Sequence, residues 1–131
     1  YLIKALKLSP DQPEIHRRLG EVFLGTKRYR LAQEHFSTAL DLIPTSSTLH
    51  YYLGRSLEGA GKNDSALATY LRAVKIDIGF AECNYRTALL AQKLGKSDIA
   101  TENMQRYKML GGIGSGNTES IKKFKKLIWG I

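Results

Sequence analysis

A pattern of small and apolar residues recurs along this chain with a shift of 34 positions. Leu19, Gly20, Phe23, Ala32, Phe36 and Ala39 return as Leu53, Gly54, Leu57, Ala66, Tyr70 and Ala73. His16 and His50, and Gly25 and Gly59, coincide under the same shift. Within each copy the first three positions lie at helical spacing, and so do the last three. A short polar break, Gly25-Thr26-Lys27 in the first copy, separates them. Each copy therefore reads as two amphipathic helices joined by a tight turn. A pair of that size cannot bury its apolar face alone, so neighbouring pairs must cover it, and the chain is restricted to stacked helix pairs. The expected fold is an all-α solenoid of antiparallel helix pairs.

The boundaries follow from local chemistry. Pro13 suits a first helical turn, where its missing N–H costs nothing, and Asp11 can cap that helix. The first pair runs roughly over 13–25 and 29–42, and Pro44 forces the chain out of the helix. Ser46 or Ser47 caps the next helix, and Gly59 to Asp64 makes the turn of the second copy. A third copy, over 81–114, is weaker: Asn84, Thr87, Ala88 and Ala91 stand where bulky residues are due. Gly111 to Asn117 is a glycine-rich loop. The segment 115–131 reads as a basic amphipathic helix, with Ile121, Phe124 and Ile128 on one face and Lys122, Lys123, Lys125 and Lys126 around it. At the other end, residues 1–12 match the close of a copy, Ala5 with Ala39 and Pro10 with Pro44, so they read as the second helix of a truncated copy. Leu2, Ile3, Leu6 and Leu8 then form an apolar edge that favours self-association.

His16-x-x-Leu19-Gly20-x-x-Phe23, then Ala32-x-x-x-Phe36, Ala39 and Pro44, resembles the tetratricopeptide repeat (TPR) signature, with His16 in place of its Trp. The resemblance covers residues 1 to about 110 and divides the chain into repeats at 13–46, 47–80 and 81–114. It implies a right-handed superhelical solenoid closed by a C-terminal capping helix, and a protein–protein interaction scaffold or adaptor. It also implies that the first helices of successive repeats line a concave groove. The groove-facing residues carried over in this way are Arg17, Arg18 and Glu21, then Tyr51, Tyr52 and Arg55, then Tyr85, Arg86 and Leu89. Arginine forks and tyrosine faces suit a peptide with acidic and apolar residues. One branch of the family grips a C-terminal carboxylate with a Lys, Asn, Asn, Lys, Arg clamp. The matching positions here are Arg17, Glu21, Tyr52, Glu82 and Arg86, and the two glutamates would repel a terminal carboxylate.

Other functions find less support. A net charge of +8 favours acidic partners. An RNA-binding helical repeat is the alternative class, but the basic residues are scattered and no base-reading pair recurs. A module that positions an enzyme domain encoded elsewhere is a third. No catalytic constellation, cofactor motif or metal-ligand spacing is present: three His and the single Cys83 lack CxxC or HxxxH spacing. The GGIGSGNT run at 111–118 lacks the lysine and the preceding strand of a phosphate loop. His16 and His50 read as packing residues, and Cys83 as a small apolar filler. The basic terminal helix, with Trp129, also suits contact with an anionic membrane surface.

Overall fold

The structure, a computed structural model, describes residues 12–111. The readings for 1–11, for the glycine-rich loop beyond Gly111 and for the basic terminal helix lie outside the described residues. Six helices and no strand are found among the described residues: α1 (Pro13–Gly25), α2 (Tyr29–Leu42), α3 (Ser47–Gly59), α4 (Asn63–Ile76), α5 (Ala81–Lys93) and α6 (Ser97–Met109). Contacts divide the chain into two compact units after Ile76. The first unit contains α1 to α4 and the second contains α5 and α6.

The helices start and stop for identifiable reasons. Pro13 occupies the first turn of α1, as its fixed φ allows. The N-cap there is Gln12, which makes no side-chain capping bond. Ser46 caps α3, its hydroxyl accepting from the Leu49 N–H at 3.2 Å. Three turns link the helix pairs, and all three share one hydrogen bond across the end of the first helix. Arg28 N–H donates to the Phe23 carbonyl, Lys62 to Leu57 and Lys96 to Ala91, at 2.8 to 2.9 Å. That bond needs a left-handed residue just before the donor. Gly61 (φ 82°) and Gly95 (φ 75°) supply it in the second and third turns, whereas Lys27 (φ 62°) carries a side chain there.

In the first unit, α1 packs on α2 and α3 on α4, and α2 and α1 both contact α3. Ala32, Phe36, Ala39 and Leu49 form a buried cluster, with Phe23, Leu24, Leu40, Tyr52 and Leu53 against it. Each helix pair crosses at a glycine. A Cβ on Gly20 would lie 2.6 Å from the Phe36 ring, and one on Gly54 would lie 2.6 Å from the Tyr70 ring. Both rings are fully buried. The Tyr70 hydroxyl satisfies itself by donating to Glu58 at 2.8 Å.

In the second unit the same two positions hold Ala88 and Met104. The Ala88 methyl occupies the space an aromatic ring would need, and the flexible Met104 stands in for the ring. A concavity of about 430 Å³ opens there, lined in part by Ala88, Gln92, Ala100, Met104 and Lys108. The interior of this pair is polar. Buried Arg106 donates to the side-chain oxygens of Asn84 and Asn103, both at 3.1 Å, and to Glu102 at 2.7 Å. Asn84 in turn donates to the carbonyls of Phe80 and Ile78 at 2.8 and 3.1 Å. Cys83 is fully buried, and burial pushes its thiol up to about 12, so it is an inert filler.

Three substitutions test these assignments. Lys27→Gly relieves a left-handed lysine and should stabilise the protein by about 1 kcal/mol in urea denaturation. Arg106→Ala strands two buried amide oxygens and should cost about 3 kcal/mol, from charge-assisted hydrogen bonds worth roughly 1.5–3 each. Arg72 occupies the equivalent position one period earlier and is exposed, so Arg72→Ala should change stability by less than about 0.5 kcal/mol. Equal losses at 72 and 106 would contradict the buried network.

Candidate functional site

The residues singled out for binding lie on the first helix of each pair. On α1, Glu14, Arg17, Arg18 and Glu21 sit three and four residues apart, so their side chains meet along one flank. Arg17 donates to Glu14 through Nη2 at 2.7 Å and Nε at 3.1 Å, and reaches Glu21 through Nη1 at 3.1 Å. Arg18 Nε donates to the same Glu14 carboxylate at 3.1 Å. The bonds from Arg17 and Arg18 hold the Glu14 carboxyl down to about 2, well below the ordinary carboxylate range. The Glu14 bond likewise raises Arg17. Two arginines and two glutamates leave this flank with no net charge.

On α3 the three predicted residues have three different settings. Tyr52 is half-buried and stacks on Phe36, with ring centroids 5.4 Å apart. Burial raises its phenol pKa, and the neighbouring Glu21 carboxylate raises it further. Arg55 is half-buried, its guanidinium 5.8 Å from the centre of the Tyr51 ring. Among the described residues Arg55 makes no ion pair, unlike Arg17 and Arg18. Tyr51 itself departs from the expectation of an exposed platform. It is only 3 % exposed, tilted against Tyr52 at 5.5 Å and Tyr70 at 6.0 Å between ring centres. Its position on α3 points into the stack of rings beneath the helix, so it supports Arg55 from below. A concavity of about 390 Å³ lies where α1 and the α2–α3 loop meet the start of α3, lined in part by Glu14, Arg17, Ile43, Thr48 and Leu49. Ile43 is 42 % exposed there.

The three predicted residues of the second unit are on α5. Tyr85 is exposed but turned onto its own helix pair, its ring 4.8 Å from that of Tyr107 on α6. Arg86 lies 3.9 Å from Glu82, one turn earlier. Leu89 is exposed. Among the described residues no group of three or more His, Cys, Asp or Glu is placed to hold a metal, and no helix is long and apolar enough to cross a membrane.

One arrangement escaped the sequence reading. His16 does pack inside its pair, as expected, but it meets His35 of α2, Nδ1 to Nδ1 at 3.1 Å. His50 does not repeat that contact; its Nε2 donates to the Pro44 carbonyl at 3.0 Å. The pairing of Glu14 with both arginines was legible from its spacing. The His16–His35 pair joins positions 19 apart on two helices and leaves no local signal.

Comparison with known proteins agrees with this geometry. Residues 17–79 match the tetratricopeptide repeat family model. The chain is 26 % identical over 104 residues to a peroxisomal targeting signal receptor of Kluyveromyces lactis; the match covers 79 % of this chain and 18 % of that protein. Among solved structures, MamA from Desulfovibrio magneticus RS-1 superposes with a TM-score of 0.81 at 21 % identity, covering 89 % of this chain and 65 % of that one. A second MamA crystal structure gives a TM-score of 0.77 at 24 % identity, covering 95 % and 81 %. The chain thus spans under a fifth of the receptor and about two thirds of the first MamA. The repeated glycine–ring crossings, the shared turn geometry and these matches identify tetratricopeptide repeats over residues 17–79, a helical module of the protein–protein interaction class.

Proposed function

We propose that the first unit binds an extended peptide along the flanks of α1 and α3, and that Arg55 receives an acidic side chain of that peptide. The observation that carries this reading is the difference between Arg55 and the arginines of α1. Arg17 and Arg18 are bonded to Glu14 and Glu21, so the α1 flank offers a neutral, preordered set of donors and acceptors. Arg55 retains an uncompensated guanidinium, lodged over the Tyr51 ring. A carboxylate arriving there gains a charge-assisted bond and breaks none. Ile43, exposed at the concavity by the start of α3, suits an apolar residue of the same peptide. The partner is a protein, and the module itself is read as non-catalytic.

This arrangement refines the roles first assigned to the arginines. Arg17 and Arg18 orient polar groups of the ligand and contribute little net attraction. The same neutrality disfavours RNA, which needs a row of free cations for its phosphates. Tyr85, Arg86 and Leu89 form a separate surface on the second unit, with one aromatic edge, one cation near Glu82 and one apolar side chain. The similarity to a protein named as a targeting signal receptor supports a peptide ligand.

An array of acidic–apolar peptides, probed with the wild-type chain and with two charge reversals, tests the reading. Arg55→Glu should weaken the selected peptides by at least about tenfold, as loss of a charge-assisted contact implies. Arg30→Glu, at an exposed site on α2 outside those flanks, should change affinity by less than about threefold. Equal sensitivity at both positions, or none at Arg55, would remove the assigned role of Arg55.

A further inference from the structure

Positions 16 and 35 recur as 50 and 69, then as 84 and 103. They mark one position on each helix of a pair that carries a polar side chain. The three pairs fill that place with different chemistry. In the third, Asn84 and Asn103, two amides, both accept from Arg106 at 3.1 Å. In the second, His50 donates to Pro44 in the preceding loop, and the Thr69 hydroxyl donates to the Ser65 carbonyl at 2.8 Å. In the first, two imidazoles face each other across α1 and α2.

We propose that the His16–His35 contact is an acid-sensitive joint: a second proton on the pair breaks it and loosens the packing of α1 on α2, while the third helix pair keeps its own joint. The Nδ1 atoms are 3.1 Å apart, so a single proton fills the space between them. The contact exists while one Nδ1 donates and the other still has its lone pair. With both rings doubly protonated there is no acceptor, and two cations face each other at hydrogen-bond distance. Water reaches the pair only at the half-buried His35. His16 is 7 % exposed, and the far side of the His35 ring is covered by Phe23, with ring centres 5.5 Å apart. Among the described residues the charged or titratable groups acting on His35 are His16 of α1 and Glu34 of α2. Burial and His16 both push His35 below the ordinary histidine value, and exposed Glu34 opposes them.

The sign follows from proton linkage. A histidine with a depressed folded pKa takes up its proton more readily in the unfolded chain. Its contribution to stability is therefore complete well above its ordinary value of about 6.5 and is lost as pH falls through and below it. The loss falls on the helix that carries Arg17 and Arg18, since His16 directly precedes them.

Amide hydrogen exchange of the full chain at pH 7.5 and pH 5.0, corrected for intrinsic rates, reads this helix by helix. Acidification should lower the protection of α1 and α2 by about tenfold more than that of α5 and α6, equivalent to one unit of differential titration. His35→Gln keeps a donor and an acceptor but cannot titrate, and should abolish the difference. A parallel loss in all helices, or an unchanged difference in His35→Gln, overturns the proposal. If that variant does not fold, the side-chain ¹H–¹⁵N titration of the wild-type chain decides. A His35 imidazole that titrates below about 6.5 supports the joint, and one at or above it overturns it.

Discussion

The close crossing of paired helices at Gly20 and Gly54 governs the rest of the first unit. No Cβ fits at either position, because the Phe36 and Tyr70 rings already occupy that volume. The ring of one helix therefore packs directly on the backbone of the other. That contact sets the separation and register of each pair, and nearby apolar residues such as Leu19 and Ala39 are buried with it. Where the glycine becomes Ala88, the ring becomes Met104, a concavity opens and the interior is held by Arg106 instead.

The scaffold leaves the outer flanks of α1, α3 and α5 free to vary, and their chemistry diverges. On α1 the charges are compensated within the helix. On α3 one arginine is left over an aromatic ring. On α5 a tyrosine turns back onto α6. Three copies of one backbone plan therefore present three surfaces, as expected of a module whose repeats share a fold but not a ligand contact.

Inside the pairs, a second polar position recurs and is solved three ways. Two histidines bind each other, a histidine and a threonine each find a carbonyl, and two asparagines share an arginine. Each solution gives hydrogen-bond partners to polar groups between the helices, which would otherwise cost free energy, although among the described residues His50 Nδ1 is buried without one.

The helix pairs, their turns and the small–large alternation at the crossings were legible in the sequence, because they depend on contacts three or four residues apart and on a period of 34. Pro13 and Ser46 marked helix starts by local backbone chemistry. The ion pairs of Glu14 with Arg17 and Arg18 were equally local. Tertiary structure alone decided the rest. Tyr51 and Tyr52 are adjacent on one helix, yet one is buried and the other half-exposed, because burial depends on what packs beneath each ring. Arg72 and Arg106 occupy the same position in successive copies, and only the second has buried amides within reach. His16 and His50 coincide in sequence, but only His16 faces a second imidazole, because the partner comes from another helix. Sequence periodicity specifies which face of a helix is inward. It does not specify the partner on the facing helix, and that partner sets the hydrogen bonding of each position.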